Sequence, residues 1–289
     1  SAALLGRRYG FHTATTDNSE VFADPEINLV VIATPHDTHA SFVERGLLAG
    51  KHVFVEKPLA INSSSLDRVV RVVERQRSVT DQIGLAPQLM VGFNRRFSPL
   101  IVRAKELLQS NDAPMNCIMT VNAGYVPDDH WIQDPEIGGG RIIGEACHHI
   151  DLVRFLVGTN IAGMQVSAFH PNSGRAKTYD STTITLEFVD GSIGTIHYFS
   201  NGPKTYPKER IEVFCDGKGL RVNNFKSLET WGWKFSSGKR LWRQDKGNSR
   251  CLKAFLDTLE NGKTLIELGD LIEVTQTSIE VAEYLRSKH

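Results

Sequence analysis

The sequence predicts an α/β protein in two parts. Residues 1–97 read as a doubly wound parallel sheet, and residues 98–289 as an α+β region built on a large, mostly antiparallel sheet. Three observations carry this. Short apolar runs at 29–33, 52–55 and 89–93 alternate with helical stretches, the pattern of strands buried on both faces of a parallel sheet. From Ser98 onward the runs alternate apolar and polar residues between turn signals, as in an antiparallel sheet with one face in water. With 289 residues, 40% of them hydrophobic, the chain can bury a core large enough for two such units.

Taken in order, the chain opens with a helical stretch over 2–9, closed by Gly10 in the place of a left-handed C-cap. A short extended piece at 12–15, a turn of helix from Ser19 and the stop signal Asp24-Pro25 follow. The first strand runs into the polar loop Thr34-Pro35-His36-Asp37-Thr38-His39, and a helix then reaches Gly50. Strand 52–55 ends in Glu56-Lys57-Pro58, a helix capped by Asn62 or Ser63 runs to about Gln76, and strand 89–93 ends in Asn94-Arg95-Arg96. Ligands of doubly wound sheets bind beyond the carboxyl ends of the strands, so these three polar loops should open onto one rim. A lone lysine at a strand end is ordinarily a solvated charge, but Pro58 stiffens the turn and fixes where the Lys57 ammonium points.

A helix over 99–108 and an alternating strand over 115–125 lead to a loop carrying Asp128, Asp129, His130 and Trp131. The stretch from Gly138 to Asp151 then packs three glycines, a carboxylate and two imidazoles into one run. Glycines let the backbone approach a ligand, and Ile150, Val153, Leu156 and Val157 recur at helical spacing, so Glu145, His148 and Asp151 fall near the start of an amphipathic helix. A carboxylate one turn from an imidazole can tune a proton donor or acceptor near neutral pH; the bland alternative is a helix start with a solvated histidine pair. Alternating strands follow at 164–169, 182–188, 193–199, 210–215 and 220–223, with Asp190-Gly191 and Asp216-Gly217 as turn signals. Residues 232–247 read as irregular, with Trp231, Trp233 and Trp242 as packing or rim aromatics, before helices over 248–259 and 270–286.

Thirty-three basic residues balance thirty-three acidic ones, so no overall field favours nucleic acid or an anionic membrane. The four cysteines are far apart, with no CxxC pair to hold zinc, and no metal site is expected. They read as reduced thiols of a cytoplasmic protein. There is no apolar run of membrane-spanning length and no signal-peptide pattern at the start.

Four segments together, residues 33–39, 50–59, 91–97 and 138–151, resemble in order the motifs of the glucose-fructose oxidoreductase, inositol dehydrogenase and MocA family. The resemblance covers nearly the whole chain. It implies an N-terminal Rossmann domain for NAD or NADP and a C-terminal sheet that carries substrate and subunit contacts, hence a homo-oligomer formed through that sheet. It also implies oxidation or reduction of a hydroxyl or carbonyl of a sugar, sugar derivative or cyclitol. Carried over by motif, His148 exchanges the hydroxyl proton and Lys57 polarises the reacting oxygen, with Glu145 as a third catalytic candidate. Thr34, Pro35, His39, Glu56 and Lys57 belong to the cofactor side, and Asn94, Arg95, Trp131 and Asp151 to the substrate side.

The chain departs from the family pattern twice. Where the family places an aspartate four residues before the histidine, this chain has Gly144, and Glu145 stands one position later, turned by about 100° on a helix. The glycine-rich turn that takes the cofactor pyrophosphate is not found, since Gly6 and Gly10 do not form that fingerprint. In the strand order 3-2-1-4-5-6, loss of strands 1 and 2 bares the edge of strand 29–33 and leaves the 12–15 piece without a neighbour. The expectation is a fragment of a longer protein, or a chain covered by another. Two other functions are compatible with this sequence: a non-catalytic assembly subunit that has lost cofactor binding, and a redox-assisted glycosidase on the same scaffold.

Overall fold

The computed structural model describes residues 2–80, 86–109, 113–169, 180–234 and 238–288. The first strands form as their composition dictates: β1 (Leu29–Ile32), β2 (His52–Val55) and β3 (Leu89–Val91) make a three-stranded parallel sheet in the order β1-β2-β3. In-register pairs such as Val30 with Val53 and Phe54 with Met90 set its core. Before it stand α1 (Ala2–Tyr9), closed by Gly10 at φ +75°, and α2 (Asn18–Ala23), whose cap Asp17 accepts the Ser19 amide at 2.8 Å. The 12–15 piece joins no strand.

Between the strands run α3 (His36–Leu48) and α4 (Ser63–Thr80), the second a turn longer than its expected end near Gln76. The polar loop after β1 is shorter than expected: Pro35 caps α3, and His36 to His39 form its first turn. Proline is at ease before a helix, where its fixed φ is compatible and no amide is needed. Strand β1 also differs from expectation. Val31 is 57% exposed, so β1, an edge strand, is covered on one face only.

A short 3-10 turn, Asn94–Phe97, leads into α5 (Pro99–Leu108) and the second unit. There β4 (Asn116–Asn122), β5 (Ile161–Ala168), β6 (Thr182–Phe188), β7 (Ile193–Phe199), β8 (Glu209–Cys215) and β9 (Lys218–Asn223) are joined by β10 (Ser227–Trp231) and the two-residue β11 (Lys239–Arg240). The eight strands lie in the order β11-β10-β9-β8-β4-β7-β6-β5, antiparallel except for the parallel pair β4 and β7. Strands β10 and β11 fall where the sequence reads partly as irregular chain, and residues 235–237 of that stretch lie outside the described residues. Both expected Asp-Gly turns form, with Gly191 at φ +85°, and Asp216 and Gly217 at +47° and +69°.

Helix α6 (Cys147–Val157) lies across β4 and β7 and is stopped by Gly158 at φ +91°, while α8 (Leu268–Ser287) packs beside it. Helix α7 (Asn248–Asn261) folds back on the first unit, where Phe255 meets Phe54 at 6.0 Å and Thr258 bonds Gln88 at 3.1 Å. Among the described residues only one face of the large sheet is covered by helices, which accounts for the alternation of buried and more exposed positions along β6 and β7.

Gly194 shows how closely α6 is seated. A Cβ there would lie 2.3 Å from Val153 Cγ1 and 3.2 Å from Phe188 Cε2. Gly194→Ala therefore overpacks the contact that positions α6, and we expect it to cost about 1–3 kcal/mol in denaturant unfolding. Adding Val153→Ala should recover part of that loss; an undiminished cost in the double variant would mean the helix is not held by this contact.

Candidate active site

The carboxyl ends of β1, β2 and β3 meet the glycine run of the second unit, and backbone carbonyls do most of the joining. His39, buried at the end of the first turn of α3, places Nδ1 2.7 Å from the Pro58 carbonyl and Nε2 2.9 Å from that of Thr34. It thereby ties the loop after β1 to the cis Lys57-Pro58 turn after β2. His36 places Nδ1 2.8 Å from the Gly138 carbonyl, and the Asp37 amide donates to Ile137 at 3.0 Å, so the start of α3 is fastened to the glycine run. Gly138 is required there, because a Cβ would stand 2.3 Å from the Ile132 backbone.

Lys57 reaches across the gap between the units. Its Nζ donates at 2.6 Å to the carbonyl of Gly144, in a π-type turn over Ile142–Ala146 that opens directly into α6. Such turns are frequent at functional sites, because they realign the backbone groups of the adjoining helix. One residue into α6 stands His148, buried against Phe93 with ring centroids 6.2 Å apart. Neither ring nitrogen of His148 has a hydrogen-bond partner among the described residues. Burial, then the positive charges of Arg95, Lys57 and Lys246, push its pKa well below the usual 6.5, so the ring is neutral at neutral pH. The result is a neutral imidazole and an ammonium on one rim, the pairing that a proton transfer beside a polarised oxygen requires.

The other candidates separate into groups. Thr34 and Pro35 are exposed at the end of β1, and Trp131 is 42% exposed with its ring edge-on to His36 at 4.8 Å. Glu56 and Asn94 line a neighbouring cleft with Val31, Phe54, Gly92 and Asn248, where Asn94 Nδ2 donates to Asn248 Oδ1 and the Lys246 carbonyl. Arg95 is not free to meet a substrate: buried, it donates from Nε and Nη2 to Glu209 Oε1 at 3.0 and 2.6 Å. Asp151 is likewise taken, paired in the core with Arg96, whose Nε and Nη2 each donate to one carboxylate oxygen.

Glu145 turns away from His148. Its carboxylate accepts from Tyr198 Oη and Lys208 Nζ at 2.6 Å and from Arg141 Nη2 at 2.9 Å. Burial alone would raise its pKa, but Lys208 and these hydrogen bonds outweigh it and hold the carboxyl far below the ordinary range. The expected coupling of Glu145 to the imidazole is therefore not what this turn builds. Sequence reasoning also missed His36, Glu209 and Lys246. His36 lies within the 33–39 segment, whereas Glu209 and Lys246 carry no local pattern.

The resemblance inferred from the motifs is confirmed by comparison with known proteins. Residues 1–82 match the model of the oxidoreductase family with an NAD-binding Rossmann fold, and residues 101–221 that of the GFO/IDH/MocA C-terminal domain. The chain belongs to the GFO/IDH/MocA family. It is 30% identical over 278 residues to an inositol 2-dehydrogenase of Rhizobium meliloti, covering 93% of this chain and 78% of that protein. A myo-inositol 2-dehydrogenase of Thermotoga maritima is 25% identical over 213 residues, covering 73% of this chain and 60% of its relative. Among solved structures, a levoglucosan dehydrogenase in complex with NADH and levoglucosan superposes with a TM-score of 0.80 at 22% identity, covering 98% of this chain and 85% of that one, and so shares the fold.

The partnerless imidazole of His148, the Lys57 ammonium and the exposed Thr34 and Pro35 are groups that would suit the nicotinamide end of such a cofactor. No glycine-rich turn between a strand and a helix N-terminus, the usual pyrophosphate cradle, occurs among the described residues.

The depressed histidines give the site a pH signature. His148 and His149 lie below 6.5 because of burial, and burial pushes His36 down to about 4. As pH falls through about 6.5 the unfolded chain takes up protons that the folded chain refuses, so stability drops, by about 1.4 kcal/mol per pH unit for the His36 ring and in the same direction for the other two. We expect the melting temperature to fall steadily from about pH 6.5 to 5, above the range where unfolded carboxylates titrate. A flat profile there would show that these rings are charged in the fold.

Proposed function

We propose that the chain is an NAD(P)-dependent dehydrogenase acting on a hydroxyl or carbonyl of a sugar, sugar derivative or cyclitol, with Lys57 and His148 as its proton-handling pair. The observation that carries this is the placing of a buried, neutral, unpartnered imidazole and an ammonium on one rim, beyond the carboxyl ends of a parallel sheet. Membership of an oxidoreductase family and the names of the relatives, inositol 2-dehydrogenase and levoglucosan dehydrogenase, support the substrate class.

A bound nicotinamide supplies the two-electron redox chemistry. The chain's own groups do the rest. Lys57, steadied by the Gly144 carbonyl, donates a hydrogen bond to the reacting oxygen and stabilises the charge that builds there as its proton leaves. His148 accepts that proton on its ring. The cations Arg95 and Lys246 disfavour a lasting imidazolium, so the proton passes on readily and the ring returns to its neutral state. Lys57→Ala and His148→Ala should each lower turnover about a hundredfold, the usual scale of such groups, with little change in melting temperature. Near-normal turnover in the His148 variant would remove it from this role.

We infer that the open face of the large sheet joins two copies of the chain. Ile193, 42% exposed, and Phe199, 36% exposed, flank Thr195 and His197 along β7, with Thr183 and Thr185 beside them on β6 and Phe214 on β8. Apolar side chains gathered on an uncovered sheet face are the mark of an association surface. Light scattering should report a dimer or larger species, reduced to the monomer by Ile193→Glu with Phe199→Glu. A wild-type monomer at high concentration would refute the inference.

A further inference from the structure

Gly144 has no side chain, yet the space beside it is full. A Cβ there would stand 2.9 Å from His36 Cε1 and 3.1 Å from Ile132 Cδ1, so the imidazole of His36 occupies the place that a residue-144 side chain would claim. His36 comes from the first turn of α3, carried by the first unit into the site of the second. Its Nδ1 faces the Gly138 carbonyl at 2.8 Å. A carbonyl only accepts, so Nδ1 carries the hydrogen and the lone pair of the neutral ring is on Nε2. No group among the described residues bonds that Nε2. Burial, joined by the charge of nearby Lys57, holds the ring neutral far below physiological pH. Beside it stands Trp131, partly exposed and edge-on, an aromatic surface of the kind that takes the apolar face of a ring.

We propose that His36 is a specificity-determining substrate residue: its Nε2 accepts a hydrogen bond from a second hydroxyl of the cyclic substrate, while Trp131 covers the apolar face of the same ring. The proposal rests on the dehydrogenase reading for its substrate class and adds the group that chooses among polyols. A site built to hydrogen-bond a hydroxyl rejects analogues lacking it far more strongly than an apolar pocket rejects an extra methylene. His36 is given no part in the proton transfer, which the dehydrogenase reading assigns to His148 and Lys57.

The test is calorimetry and steady-state kinetics on the full chain with myo-inositol, levoglucosan and glucose as probes, in the presence of NADH or NAD. His36→Phe keeps a ring against Trp131 and Ile132 but has no acceptor. We expect it to weaken binding of the preferred probe at least tenfold and to raise KM by the same factor, with kcat changed less than threefold. His36→Gln, which offers an amide oxygen, should recover most of the loss. In wild type, the probe should also shift the His36 Nε2 nitrogen resonance, a change that a merely structural ring would not show. Equal affinity in His36→Phe and wild type overturns the proposal, as does failure of the wild type to bind any of the three probes. If binding depends on His36 but no probe is oxidised, the dehydrogenase reading fails and the assignment of His36 stands.

Discussion

A carboxylate with no access to water sits at the junction of the two units, and the rest of the site is arranged to keep it ionised. Glu209, at the start of β8, is fully buried. Arg95 arrives from the turn after β3, His149 from α6 at 3.2 Å, and Lys246 from the loop before α7, 2.8 Å from Oε2. Burial would raise its pKa, but these partners reverse the effect and hold the group far below the ordinary carboxylate range. Removing the carboxylate from such a cluster would leave the buried Arg95 guanidinium uncompensated, at about 3–5 kcal/mol. The network therefore binds the end of the parallel sheet, the central helix and the returning C-terminal chain into one geometry.

That constraint reaches the chemistry through its surplus. Arg95 and Lys246 bring two positive charges to one carboxylate, and Lys57 adds a third on the rim. His148, one residue before His149, has Arg95, Lys57 and Lys246 among the charges that lower its pKa. Burial is the first reason that a protonated imidazole is costly here, and this field adds to it, so the ion cluster that staples the units also helps to keep the base neutral. Lys57, His36 and His39 are in turn seated on the carbonyls of Thr34, Pro58, Gly138 and Gly144, which add no charge of their own. Side chains held on backbone acceptors are placed by the fold itself, which suits a site that must be preorganised.

Much of this was legible in the sequence because it is local. Apolar runs mark the strands of the parallel sheet, with β2 and α5 bounded as expected to the residue, and the motif residues Lys57 and His148 fall on the same side of the junction between the sheets. What escaped is non-local. Arg95 and Asp151 have the chemistry of substrate ligands, but their partners lie 114 and 55 residues away, and no spacing rule announces Glu209 or Arg96 as those partners. The start of α3 was obscured by polar residues that resemble a loop, although the proline before them is a helix-start signal. Strands β10 and β11 were missed among turn residues and tryptophans. Periodicity also cannot say which neighbours a strand has, so the exposed face of Val31 was invisible to it.

The most instructive position is the single step from Gly144 to Glu145. Neighbouring side chains of a helical turn point in different directions, and in the π-type turn over Ile142–Ala146 that divergence separates two functions. Glu145 points into a cage of Arg141, Tyr198 and Lys208, where its charge is spent on holding the turn to the sheet. Gly144 faces the rim, presents its carbonyl to Lys57 and leaves its side-chain space to His36. A carboxylate at position 145 therefore cannot do the work of one at position 144. It belongs to the scaffold, and the space beside Gly144 is filled by a residue 108 positions earlier in the chain, one whose neutral ring can accept a hydrogen bond without adding negative charge beside the base.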